Sequence, residues 1–260
     1  MRTESARKRV LLLGGTTEAT TLAAALAKDE RIELIVSLAG RTSSPLVRGG
    51  QLRTGGFGGA EGLAAYLDAE AIDVLVDATH PFAARMPFNA AAACGRVGVP
   101  LLKLCRPAWT PTEGDRWVNV ADLQDAAATL VARGARRVLL TTGRQELEPF
   151  RGLHGITFFV RSIEPPDLRR FEAATAVLAR GPFDVQAERA LLSEHAIDTL
   201  VTKNSGGSAT AAKLAAAREQ GIEVVMVHRP AAPAVPTVDN VADARRWISA
   251  QLIRTGTSAE

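Results

Sequence analysis

Two residues able to handle charge or protons stand where apolar runs end, His80 and Lys203. His80 lies in Asp77-Ala-Thr79-His80-Pro81-Phe82, directly after Val74-Leu-Val76. An imidazole at the end of a buried strand, with proline fixing the turn, can act as donor, acid or substrate clamp; its plain alternative is a histidine bonding its own loop. Lys203 opens Lys203-Asn204-Ser205-Gly206-Gly207-Ser208 after Thr199-Leu-Val-Thr202. A Lys beside successive small residues at a helix start can form an anion nest, and packing alone gives no reason for an ammonium there.

A third cluster suits phosphate. Val10–Leu13 is a short apolar run, Gly14 and Gly15 break it, and Thr16 or Thr17 can cap a helix carrying Leu22 and Leu26 at i, i+4. Strand, glycine turn and helix start together offer free N–H groups and a positive dipole end, although the Gly-x-Gly-x-x-Gly spacing is absent. Glu18 fits either a complement to the dipole or a ribose hydroxyl contact. After the next apolar run, Ile32–Ser37, no Asp or Glu occurs before Pro45, while Ser37, Arg41 and Thr42 do. A dinucleotide bound here should be NADP(H) rather than NAD, because NAD enzymes place an acid against the free 2′-hydroxyl at this point; a solvated loop Arg is the alternative for Arg41. Thr141-Thr142-Gly143-Arg144 is a weaker member of the set. Ser-His-Asp order, Cys/His metal spacing and the P-loop pattern are all missing.

These loops need strands and helices to hold them, and the sequence supplies both twice. The 260 residues are 47% hydrophobic and 5% aromatic, which fits an Ala/Val/Leu-built α/β protein. Arg9-Val-Leu-Leu returns as Arg137-Val-Leu-Leu, Ala71-Ile72-Asp73 as Ala196-Ile197-Asp198, Arg106-Pro107 as Arg229-Pro230, and Asn119-Val-Ala-Asp122 as Asn240-Val-Ala-Asp243. The offsets drift from 128 through 125 and 123 to 121, as small deletions in an internal repeat produce. Strands alternating with helical segments imply βαβ units. The expectation is two similar Rossmann-like lobes, each a parallel sheet of about five strands, with their strand ends facing a central cleft. Residues 8–116 form the first and 117–254 the second, the boundary falling between 108 and 136.

Net charge is +3, with 26 of the 31 basic residues Arg, yet no basic run interleaved with aromatics points to nucleic acid. Two cysteines are no disulfide framework, and no signal-peptide pattern or membrane-length apolar run is present. A cytoplasmic, membrane-free protein is expected.

Taken together, Leu13-Gly-Gly-Thr-Thr-Glu-Ala19, Arg53-Thr-Gly-Gly-Phe-Gly-Gly59, Asp77-Ala-Thr-His-Pro-Phe-Ala83, Arg106-Pro-Ala-Trp109, Arg180-Gly-Pro-Phe183 and Thr202-Lys-Asn-Ser-Gly-Gly207 resemble the motifs of the precorrin-6A reductase family, in the family's order. The resemblance implies NADPH-dependent hydride transfer to the C18–C19 double bond of precorrin-6A, giving precorrin-6B in cobalamin biosynthesis, with a polycarboxylate tetrapyrrole as partner and no metal. On that reading His80 and Lys203 are catalytic. The cofactor contacts are Gly14, Gly15, Thr16, Thr17, Glu18, Ser37, Arg41, Thr42, Thr79, Asn204, Ser205 and Gly206.

Two other readings compete. Another NADP-dependent oxidoreductase of the short-chain type normally carries Tyr-x-x-x-Lys, whereas the single tyrosine, Tyr66, is followed by Leu-Asp-Ala-Glu70. A non-enzymatic two-lobed small-molecule-binding protein shares the repeat but is typically exported. The cofactor expectation is tested by comparing kcat/KM for NADPH and NADH. Arg41→Ala should lose about ten- to a hundredfold on NADPH, the worth of a charge-assisted contact, spare NADH, and lose less as salt rises.

Overall fold

The computed structural model describes residues 7–39 and 49–254 and divides into two units. The first runs from the N-terminus to Arg106 and resumes at Pro230; the second is Pro107–Arg229. Chain order in the first unit is β1 (Lys8–Leu13), α1 (Thr17–Leu26), β2 (Ile32–Leu38), β3 (Gln51–Thr54), α2 (Gly59–Ala69), β4 (Val74–Asp77), α3 (Met86–Val97) and β5 (Leu101–Leu104). The second holds β6 (Trp117–Val120), α4 (Leu123–Ala132), β7 (Arg137–Leu140), a 3-10 turn (Glu148–Phe150), β8 (Thr157–Ser162), β9 (Ala173–Leu178), α5 (Val185–Glu194), β10 (Thr199–Lys203), α6 (Ala212–Glu219) and β11 (Glu223–Val227). The chain then returns to the first unit as β12 (Thr237–Val238) and α7 (Val241–Arg254).

Each unit is built on an all-parallel sheet of six strands, ordered β12-β5-β4-β1-β2-β3 in one and β6-β11-β10-β7-β8-β9 in the other. Five strands share one order, β5-β4-β1-β2-β3 and β11-β10-β7-β8-β9, with the reversal of direction between β1 and β4 and between β7 and β10; the edge strand differs, β12 being the last of its unit in the chain and β6 the first of its own. The central strands read as unbroken apolar runs because helices cover both faces. Val10, Leu12, Leu34 and Val76 bury one face against Leu22 and Leu26 of α1 and Ile248 of α7. Leu11, Leu13, Ile35 and Leu75 bury the other against Leu63 and Leu67 of α2 and Cys94 of α3. Neither cysteine is in a disulfide, and burial pushes the Cys94 thiol up to about 12.

The repeat is physical. Ala71 and Ala196 both adopt positive φ, 45° and 46°, just past their helices. Ile72 and Ile197 then donate back to Leu67 and Leu192, both at 2.9 Å. One oxygen of Asp73 takes the Arg9 amide, and one of Asp198 takes the Arg137 amide, at 2.8 Å each. Arg-Pro marks the two points at which the chain leaves one unit for the other, 106/107 and 229/230. The Asn-Val-Ala-Asp match is looser: Asp122 caps α4 by accepting from Gln124 and Asp125, whereas the side chain of Asn240 accepts from the Asp243 amide before α7.

The expected division at 116/117, with everything to residue 254 in the second lobe, is therefore corrected. β12 pairs with β5, and Ala244, Ile248 and Leu252 of α7 are buried in the first unit's core. A two-residue edge strand has no periodicity to reveal its sheet, and parallel pairing needs no adjacent turn. The sixth strand of each sheet, absent from the five-strand expectation, is the short strand that follows an Arg-Pro step. No helix among the described residues is long and apolar enough to cross a membrane.

Replacing Ile248 by Ala should destabilise the first unit by about 2–5 kcal/mol. Urea denaturation followed by limited proteolysis would locate that loss in residues 7–106, although α7 follows the second unit in sequence.

Candidate functional site

All-parallel sheets gather their post-strand loops at one edge, and ligands bind there beside the point where strand order reverses. In the first unit that point lies between the loops after β1 and β4. Gly14 donates to Ser37 O at 2.9 Å, and a Cβ on it would lie 2.9 Å from Leu38 Cδ2, so only glycine fits without a shift. Gly15 has φ +126° and faces open space. Thr16 is the cap: its Oγ1 accepts from Ala19 N at 3.1 Å and donates to Ala78 O at 3.0 Å, tying the two loops together. Thr17 starts α1 and is exposed. A shallow cavity beside the turn is lined by Gly14, Gly15, Ala19, Thr20, Val36 and Leu38, among others.

Glu18 stands in the first turn of α1, where its charge complements the helix dipole, and it also has a side-chain partner. Its carboxylate is 2.8 Å from Arg106 Nη1, in a mostly buried ion pair. Ser37 is buried and accepts from Arg53 Nη1 at 3.3 Å. Arg53 also donates to Gly55 O and Gly56 O and stacks 3.7 Å from the Phe57 ring centroid. Tyr66 lies on the same guanidinium, and burial holds its phenol above the ordinary range. The value of Arg53 as a cation at the strand edge depends on β3 pairing with β2, which no local pattern reveals. Arg41 and Thr42 lie outside the described residues.

The loop after β4 is anchored by Asp77. One carboxylate oxygen accepts from Thr79 N and Oγ1, at 3.0 and 2.6 Å, while the other pairs with Lys103 Nζ at 3.2 Å. Asp77 and Lys103 are 2% and 9% exposed at the side chain, so this is a buried ion pair, and it fixes Thr79. The residue beyond, His80, accepts from the Phe82 amide through Nδ1 at 3.2 Å. That bond assigns the proton of the neutral ring to Nε2.

The second unit offers a different edge. No helix follows β7; the 3-10 turn packs Phe150 on Phe158 instead, with ring centroids 6.1 Å apart. Thr141 donates to Val201 O through its amide and hydroxyl, at 3.0 and 3.1 Å. Lys203, largely buried, forms an ion pair with Glu146. Arg144 Nη2 and Glu164 Oε2 are 2.6 Å apart. The expected nest at 204–207 is mainly a structural clamp. Asn204 takes the Trp109 amide on Oδ1 (2.7 Å) and gives Nδ2 to Trp109 O (2.9 Å), while Trp109 Nε1 donates to Gly207 O. Arg229 in turn holds the carbonyls of Asn204 and Ser205. Gly206, at φ +68°, leaves 1.9 Å between a Cβ and Pro107 O, so no larger residue fits. Asn204 and Ser205, expected to contact a cofactor, are thus buried parts of this clamp. The role of Trp109 is not legible in its motif, because its partner is 95 positions away.

The two edges are not equivalent. Only the first combines a glycine turn with a capped helix start after its first strand, which suits a pyrophosphate; the second presents cations and acids.

A family model described as precorrin-6x reductase CbiJ/CobK matches residues 9–249. A precorrin-6A reductase of Rhodococcus erythropolis is 52% identical over 241 residues, covering 92% of this chain and 97% of that protein. One from a Sinorhizobium species is 49% identical over 245 residues, covering 94% and 93%. A solved structure titled CobK precorrin-6A reductase superposes with a TM-score of 0.87 at 42% identity, covering 94% of this chain and 97% of that one.

Asp77→Ala should be strongly destabilising, by about 3–5 kcal/mol, because it leaves the Lys103 ammonium buried without its carboxylate. Chemical denaturation of the double variant Asp77→Ala/Lys103→Met should recover much of that loss.

Proposed function

We infer the function of this chain from its family: it belongs to the precorrin-6x reductases, CbiJ/CobK, and reduces precorrin-6A, a step of cobalamin biosynthesis. Such a reductase draws on a nicotinamide cofactor, and we propose that NADPH is the one used and that the first unit holds it. The observation that carries this assignment is the asymmetry between the edges. β1 runs through a glycine turn into a helix whose start is capped by the Thr16 side chain; its counterpart β7 runs into a loop. The residues fit the cofactor, since a side chain at Gly14 would have to push Leu38 aside and Gly15 opens onto free space. The amides of residues 15–17 would receive the pyrophosphate, and Ser37 and Arg53 stand at the strand ends where the adenosine ribose lies in such folds. Arg41 and Thr42 are proposed to complete the 2′-phosphate contact.

Bound NADPH supplies the hydride for the C18–C19 double bond of the ring, giving precorrin-6B. The chain's own residues position the reactants and manage charge and protons. His80, with Nδ1 engaged by its loop, carries the proton of its neutral ring on Nε2, and we propose it as the proton source or as a donor to the ring. Asp77 and Thr79 act indirectly, by fixing the loop that carries it. Lys203 is proposed to take a carboxylate of the substrate. A cytoplasmic location and a tetrapyrrole partner, without nucleic acid, complete the proposal.

The deciding experiment incubates the protein with NADPH and precorrin-6A. Oxidation at 340 nm should accompany a two-hydrogen mass gain in the tetrapyrrole. His80→Ala should lower kcat by about 100-fold, the usual share of a general acid, with NADPH affinity unchanged; full turnover would return His80 to a structural role.

A further inference from the structure

The loops at the strand ends of the second unit carry two cation–carboxylate pairs that the reduction itself does not explain. Lys203, the last residue of β10, touches Glu146, and Arg144 lies 2.6 Å from Glu164. Both acids come from loops: Glu146 from the segment that stands in place of a helix after β7, Glu164 from just past β8. Their side chains are 39% and 27% exposed, so neither pair is locked in the interior.

A separate observation points to a ligand at the same place. Thr141 bonds the carbonyl of Val201 through its amide and hydroxyl, so Thr142, the next residue, leaves the sheet from β7 beside β10, which ends at Lys203. Thr142 is 6% exposed, and its hydroxyl oxygen is buried with no hydrogen-bond partner among the described residues. A buried hydroxyl left without a partner is costly, and native structures rarely keep one that nothing completes. The edge therefore presents two cations, each already matched to a carboxylate, and an unsatisfied hydroxyl beside one of them.

We propose that Glu146 and Glu164 are internal surrogates for two carboxylates of the substrate, displaced when the substrate's acid side chains take over Lys203 and Arg144. The proposal rests on the reading of this chain as a precorrin-6A reductase, whose ring is a polycarboxylate. Exchange of one carboxylate for another keeps each cation paired throughout, so it avoids leaving a bare charge at a half-buried site. Partly exposed pairs are weak, which makes the surrogates easy to displace. They also select: a ligand with a single acid can replace one at most, and the other acid still repels it. Discrimination then comes from built-in competition as much as from attraction.

The test titrates the full-length protein with uroporphyrin, an unreactive tetrapyrrole octacarboxylate, and separately with precorrin-6A and succinate. Glu146→Gln and Glu164→Gln should each bind uroporphyrin about two- to fivefold more tightly, the scale of an exposed ion pair, and should gain affinity for succinate. Arg144→Ala should bind uroporphyrin about tenfold more weakly, as loss of one charge-assisted contact predicts. NADPH affinity, read from nicotinamide fluorescence, should be the same in all three. Should both Gln variants bind the ring no more tightly than wild type, the exchange is wrong, whatever Arg144→Ala does. Wild type that fails to oxidise NADPH with precorrin-6A defeats the functional reading instead, and wild-type turnover with no tightening in the variants defeats the exchange alone.

Discussion

A parallel strand cannot be continued by a tight turn, and the rest of this architecture follows from that constraint. Every strand must hand the chain to a crossover that returns it to the opposite end of the sheet. With both sheets wholly parallel, all the loops that follow strands collect at one edge of each. Residues as distant in sequence as Thr16 and Ala78 thereby become hydrogen-bonded neighbours. Polar groups gathered on such an edge need anchoring, and the anchors lie within the sheet itself. Asp77 and Lys103 occupy paired positions on β4 and β5, and Asn204 reaches back to the backbone of Trp109.

The two units began as one plan and have diverged at the first crossover. α1 gives the first unit a helix start, and with it the partial positive charge of unpaired amides. Without that helix, the second unit takes its positive charge from side chains, Lys203 and Arg144, each balanced by a nearby acid. Backbone amides hold a phosphate at fixed geometry, whereas ammonium and guanidinium groups on loops can follow the flexible acid arms of a large ring.

How much of this could be read from the chain depends on the range over which each feature is encoded. The glycine turn, the cap at Thr16 and the Ala-Ile-Asp repeat are local, and each appears in the structure where its residues indicated; even the unusual φ of Ala71 recurs at Ala196. Two parallel α/β lobes were legible for the same reason, since buried strands alternating with helices leave few other arrangements. The membership of β12 and α7 was not, because an edge strand of two residues carries too little pattern to name its sheet. Polar residues misled when their partners were remote. Glu18 looked free for a ribose until Arg106 appeared 88 positions on, and Asn204 looked like a ligand group until Trp109 occupied its amide. The pairing of Lys103 with Asp77 was out of reach for the same reason, since it exists only once β5 lies beside β4.

Because β12 and α7 close the first sheet, the order in which the chain leaves the ribosome differs from the order in which its parts can be finished. Domains commonly fold from the N-terminus as they emerge. Here residues 107–229 hold every strand of the second sheet, whereas the first sheet lacks its edge strand and the helix bearing Ile248 until the last stretch of the described chain is made. The half translated first is thus completed last. Through most of synthesis it carries an apolar face, later covered by α7, that nothing in the nascent chain can yet cover.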